Sequence, residues 1–187
     1  MLYTIGHSTH PLEEFVGLLQ EHGVDLLLDI RTVPRSRTNP QFNLDALPAS
    51  LEQYGIGHEY VRELGGLRKV TADSPNGGWR NKSFQGYADH MLTEEFLRGL
   101  DRLIDAAAEH TVAIMCAEAV WWRCHRSMVA EAMLVRGFDV SHIMPDGRLG
   151  PATLRDFAAV DGTTITYPPQ VGSAPAPQTQ PHSPART

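Results

Sequence analysis

The sequence predicts an α/β domain: an open, mostly parallel five-stranded sheet with helices on both faces, Rossmann-like or flavodoxin-like in layout. Three observations predict it. Short apolar runs recur along the chain, and segments with apolar residues at helical spacing separate them. Proline, threonine or acidic residues open the helical segments, and glycine closes them. Helical crossovers join parallel neighbours, with a right-handed sense.

Taken in order, Leu2–Gly6 is a short apolar strand. Pro11 opens a helix, where its missing N–H costs nothing. Glu13 and Glu14 suit the positive helix start, and Leu12, Phe15, Leu18 and Leu19 share its buried face. Gly23 ends it, and Val24–Ile30 is the second strand. After a polar loop, Leu44, Leu47, Leu51 and Tyr54 share a helical face, with Pro48 marking a late start or a kink. His58–Val61 is the third strand, Gly65–Asn81 a long loop and Phe84–Leu92 a short helix. Thr93 caps a longer helix with Glu94 and Glu95 in its first turn. Thr111–Cys116 is the fourth strand, Cys124–Arg136 a helix, Phe138–Ile143 the fifth strand and Leu154–Ala159 a final short helix.

The chain has 187 residues, enough for one domain with a real core. Met1–Thr166 reads as that single α/β domain. From Pro168 onward the composition shifts: six of the 13 prolines fall in the last 20 residues, among Gly, Ser, Ala, Gln and Thr. Such a segment buries too little apolar surface to offset its ordering entropy, so 167–187 is expected to be a disordered Pro-rich tail. The balance of 16 Lys+Arg against 22 Asp+Glu, a net charge of −6, argues against duplex nucleic acid and anionic membranes as partners. Two cysteines exclude a disulfide-dense secreted scaffold. The first residues lack the basic start and apolar core of a secretory leader, and no apolar run reaches bilayer length. The expected setting is the reducing cytoplasm.

In open α/β sheets, ligands bind outside the carboxyl ends of the strands. The reactive residue types fall there. Gly6-His7-Ser8-Thr9 follows the first strand; Asp29, Arg31, Arg35 and Ser36 end or follow the second. Leu64-Gly65-Gly66 follows the third, and Cys116-Ala117-Glu118 ends the fourth. The next helix opens on Arg123-Cys124-His125-Arg126, and His142 lies at the end of the fifth strand.

These segments, with Thr4-Ile5-Gly6-His7-Ser8, Asp29-Ile30-Arg31-Thr32-Val33-Pro34-Arg35-Ser36 and Phe84-Gln85-Gly86-Tyr87-Ala88 as the longest, resemble the domain of unknown function 488 family over about Leu2–Ile143. The resemblance implies an α/β domain with these motif residues around one pocket.

Each candidate has a structural reading beside a chemical one. A free thiol is commonly a small buried hydrophobe, and Cys124 lies four residues before Met128 on the core stripe. In the chemical reading Cys116 or Cys124 is a thiolate; Cys124, at a helix start beside Arg123, His125 and Arg126, has the surroundings that lower a thiol pKa. His7 or His125 would carry its proton, oriented by Glu118 and Asp29. Structurally, Asp29 pairs with Arg31, Arg35 or Arg126, and Glu118 with Arg126. Chemically, Arg31, Arg35 and Arg126 clamp an anion, with Ser8, Thr9 and Ser36 beside them. Gly65-Gly66 lacks phosphate-loop spacing and marks a close backbone approach or a tight turn at the ligand rim. Seven residues separate the cysteines, unlike the short knuckle of structural zinc sites, so no metal set is assigned. Glu118, between Cys116 and Arg123, would repel a phosphate dianion and argues against a phosphatase loop. No residue pattern specifies a cofactor.

The resulting expectation is an enzyme acting on a small anionic or nucleotide-like substrate at the carboxyl edge of the sheet. The alternatives are a non-catalytic nucleotide or single-strand-binding module, and a thiol-based metal or redox sensor.

Overall fold

In the computed structural model, residues 1–170 are described; the expected tail therefore lies outside the described residues from position 171. Strands β1 (Leu2–Gly6), β2 (Leu26–Asp29), β3 (Gly57–Tyr60), β4 (Val112–Cys116) and β5 (Val140–Ile143) form a parallel sheet. A sixth strand, β6 (Leu149–Pro151), adds antiparallel to β5, giving the order β3-β2-β4-β1-β5-β6. The helices are α1 (Leu12–Glu21), α2 (Leu47–Glu52), α3 (Lys82–His90), α4 (Glu94–Glu109) and α5 (Arg126–Leu134).

Strand pleating distributes side chains to two cores. Leu2, Leu28, Val112 and Ile114 join Phe96, Leu100, Leu103 and Met128 of α4 and α5 on one face. Tyr3, Ile5, Leu27, Ala113 and Met115 join Phe15, Leu19, Leu47 and Leu51 of α1 and α2 on the other. The strands read as continuous apolar runs because both faces are covered. Thr93 caps α4 as its sequence predicts, accepting the Phe96 N–H at 3.2 Å. Pro48 sits in the first turn of α2, which therefore starts late rather than kinking.

Three expectations are corrected. No helix forms over Leu154–Ala159; the chain continues into a hairpin of β7 (Ala159–Asp161) and β8 (Thr164–Thr166). The sheet has six strands rather than five, because Met144–Arg148 turns back on itself and pairs the following residues with β5. The folded chain also runs past Thr166. Tyr167 is fully buried, its N–H donates to Asn76 Oδ1 at 2.8 Å, and its hydroxyl donates to the buried Glu131 carboxylate. Its ring packs against Trp79 and Phe157. Tyr167→Ala is expected to cost about 3–5 kcal/mol, the usual loss for truncating a buried aromatic. The urea midpoint of the full chain measures it, and an unchanged midpoint would show that the ring contributes nothing.

The long loop before α3 is pinned from below. Asp89 accepts from the Thr71 N–H (2.9 Å), Ser74 Oγ (2.6 Å) and Asn76 Nδ2 (2.8 Å). Burial opposes its ionisation, but these donors together hold the carboxyl below its ordinary range.

Candidate active site

Strands β1 and β4 lie side by side at the centre of the sheet, with Gly6 paired to Cys116 at their carboxyl ends. From there the chain departs to opposite faces: to α1 after β1 and to α5 after β4. That divergence is the topological switch point where doubly wound sheets open a crevice. The segment after β4 folds across the end of β1 so closely that a Cβ on Gly6 would lie 1.8 Å from the Glu118 carbonyl oxygen. Only glycine admits this crossing.

Two free sulfurs stand at the crossing. Cys116 Sγ and Cys124 Sγ are 2.7 Å apart, unbonded and nearly inaccessible. Arg126, 1% exposed, reaches Cys116 Sγ with Nη1 at 2.6 Å and clamps the Glu118 and Ala119 carbonyls at 2.6 and 3.1 Å. The expected Glu118–Arg126 ion pair is not formed: Arg126 takes the backbone carbonyl, and the Glu118 side chain is exposed. Among the described residues, no carboxylate forms an ion pair with Arg126.

Cys124 precedes α5 rather than lying in its first turn. Trp121–Arg123 forms a 3₁₀ turn that Cys124 closes in extended conformation. Its sulfur then accepts the Arg126 N–H at 3.5 Å, so it still faces the positive helix start. Burial pushes the Cys124 thiol up, but the Cys116 hydrogen bond, the Arg126 charge and the Arg126 N–H outweigh it and lower its pKa. Burial and the neighbouring Cys124 push Cys116 well above the ordinary thiol value. The two shifts run in opposite directions, so Cys124 is the more acidic thiol of the pair. His125 completes the group. Burial keeps its ring below the usual histidine value, hence neutral. Nε2–H donates to the Ile30 carbonyl at 3.1 Å, which leaves the Nδ1 lone pair facing Cys124 Sγ at 3.6 Å. Gly66 backs this ring: a Cβ there would strike His125 Nδ1 at 2.9 Å.

A second group lies on the α1–α2 side of the sheet edge, where pleating directs Asp29 and His7. Asp29 accepts from Arg31 Nε at 2.8 Å and Nη2 at 2.5 Å, a bidentate pair buried on both sides. Arg31 also donates to the Phe42 carbonyl (2.6 Å) and to His7 Nε2 (3.2 Å). One Nη1 hydrogen remains unspent. Of the partners weighed for Asp29, the structure selects Arg31. His7 stacks on Phe42 and donates from Nδ1 to the Ser8 carbonyl at 2.9 Å, so both its ring nitrogens are engaged. Burial and the Arg31 charge lower its pKa to about 4.

A family model described as a domain of unknown function, DUF488, matches residues 11–133. The chain belongs to the DUF488 family. The matched span carries Asp29, Arg31, Gly66, Cys116, Cys124 and Arg126, while β1 and His7-Ser8-Thr9 precede it. No curated protein and no solved structure matches the chain.

In this DUF488 domain the two groups line adjoining hollows. One, of about 470 Å³, has Cys116, Cys124, His125, Arg123, Asn81 and Ser83 on its walls. The other, of about 430 Å³, has His7, Ser8, Thr9, Arg35, Ser36 and Asn39. Arg31, Val33, Ala117 and Glu118 belong to both and join them. Arg31 and Cys124 therefore both line the first hollow. Arg35 is mostly exposed and paired with Asp45, and Ser36 Oγ accepts the Asn39 N–H. Gly65 lies against Thr32, beneath the cleft. Asn81 and Ser83 are wall residues that the sequence reading missed. Their signal was local: the Asn81 side chain accepts the Ser83 N–H at 2.8 Å to start α3, an N-cap pattern. Among the described residues, no three His, Cys, Asp or Glu side chains gather as metal ligands, and no helix is long and apolar enough to cross a membrane.

Proposed function

We propose that this protein is an enzyme whose Cys124 thiolate attacks a small anionic or nucleotide-like substrate in the cleft at the carboxyl edge of the sheet. The observation that carries this reading is the buried Arg126 guanidinium with sulfur, and no carboxylate among the described residues, beside it. Burying an unpaired guanidinium costs several kcal/mol. A thiolate shared across the two cysteines supplies the missing negative charge, and thiolate is the nucleophilic form.

Roles follow from contacts. Cys116 holds the pair's proton and passes the Arg126 polarisation to Cys124. His125 Nδ1 receives the Cys124 proton when the pair is fully protonated. Asp29 positions Arg31, which lines the cleft together with exposed Arg123 and the neutral donors Asn81 and Ser83. Glu118, with its carboxylate on the shared wall, disfavours a fully ionised phosphate next to it. The cytoplasm, where thiols stay reduced, suits such a centre.

Alkylation of the folded, full-length chain with iodoacetamide, mapped by peptide mass against pH, tests the reading. Cys124 is expected to react with a half-maximal rate clearly below the ordinary thiol pKa of about 8.5, while Cys116 stays unmodified. Reaction of both thiols only after denaturation would refute the nucleophile.

A further inference from the structure

We infer that the Cys116–Cys124 pair is also a redox couple, which a small hydroperoxide entering the cleft converts to an intramolecular disulfide. The inference rests on the reading of Cys124 as the thiolate, and it adds a partner for that thiolate.

Buried thiols are ordinarily inert for two reasons: oxidant does not reach them, and a first oxidation product finds no second sulfur. Neither applies here. Both sulfurs are low in exposure yet form part of the wall of the 470 Å³ hollow. They already touch, at 2.7 Å. The two cysteines come from different segments, the end of β4 and the residue before His125, joined by the looped residues 117–123. Neither sulfur has to leave the core for the other to reach it. Closing to the disulfide bond length of about 2.05 Å requires a movement of well under 1 Å.

The chemistry balances with the peroxide as the only co-reactant. The Cys124 sulfur attacks the distal peroxide oxygen. The O–O bond breaks, the alkoxide (hydroxide, for hydrogen peroxide) departs and takes a proton from water, and Cys124 becomes a sulfenic acid. The Cys116 sulfur then attacks the Cys124 sulfur. The S–S bond forms, the S–O bond breaks, and the departing hydroxide leaves as water with the Cys116 proton. Two electrons pass from the sulfurs to the peroxide. The product is neutral, so Arg126 loses its counter-charge on oxidation. An external dithiol that returns two electrons and the protons restores it.

The test treats the reduced full-length chain at neutral pH with stoichiometric hydrogen peroxide and reads intact mass, peptide linkage and thiol count. The expected product is a monomer lighter by two hydrogens, with Cys116 and Cys124 linked and both closed to alkylation after denaturation, and dithiothreitol reopens them. Cys116→Ser is expected to stop at a sulfenic acid on Cys124, captured by dimedone with the mass of one adduct; Cys124→Ser is expected to give no adduct. Two results overturn the inference: both thiols alkylated on denaturation after excess peroxide, or a disulfide joining two copies of the chain. If either occurs while iodoacetamide still labels Cys124 below the ordinary thiol pH, the redox inference falls and the nucleophile reading survives. Loss of that labelling as well removes both. The wild-type measurement stands by itself should either serine variant fail to fold.

Discussion

Lowering the pH from 7 to 4 is expected to remove roughly 6 kcal/mol of folding stability through two histidines alone. Burial, reinforced by Arg31, holds His7 at about 4 against an ordinary 6.5. Burial, reinforced by Arg126 and Arg155, does the same for His142, which is stacked on Trp121 and bonded to Thr4 Oγ1 at 2.7 Å. The unfolded chain takes up both protons near pH 6.5, whereas the folded chain resists them until about 4. Stability is therefore complete above pH 6.5, falls through that window as protons favour the unfolded chain, and levels off below it. Each ring contributes about 3 kcal/mol, a large share of the 5–15 kcal/mol typical of a domain. Urea midpoints collected across the window measure the slope. His142→Phe is expected to reduce it by about half. A flat profile would show that both rings accept protons inside the fold.

Arg126→Met is expected to separate chemistry from stability. Under the proposed function, loss of the guanidinium returns the sulfur pair to two neutral thiols. The pH at which Cys124 alkylates should rise by roughly a unit or more, and its alkylation rate at pH 7 should fall about tenfold. Two carbonyls, those of Glu118 and Ala119, lose their donor, at about 1–3 kcal/mol each if they stay dry. Against this, removing a buried charge recovers several kcal/mol of desolvation. The net change in the urea midpoint is therefore small beside the change in reactivity. Arg126→Lys keeps the charge without the fork and is expected to preserve most of the low-pH alkylation. An unchanged profile in Arg126→Met would show that the thiolate draws its stability from elsewhere.

Much of the fold was legible because its signals are local. Thr93 with Glu94 and Glu95 announces α4, and the apolar runs at Leu26 and Val112 announce strands covered on both faces. The two missed hairpins had a signal too, Asp-Gly at 146–147 and 161–162, with both glycines at positive φ. Their strands are three residues long and mostly exposed, so they carry no period to read. Where a last helix was expected, Arg155 instead pairs with Glu131 and lies over the Trp79 ring. At the site, sequence position told which titratable residues follow the strands at one edge. It could not show that Arg126 would meet sulfur rather than Glu118, since that depends on the crossing above Gly6. Nor could it show that pleating splits Asp29 and Cys116 between the two faces.

The in-register pairing of Gly6 with Cys116 makes the sheet a ruler for this centre. One residue inserted within β4 would invert the alternation beyond it and carry the sulfur from the α5 layer to the α1 layer, away from its cation. Drift in chain length is confined to the connections, and the 117–123 stretch can lengthen only where two carbonyls still meet Arg126. The shape of the cleft wall can vary in that stretch while the frame beneath it stays fixed to the residue.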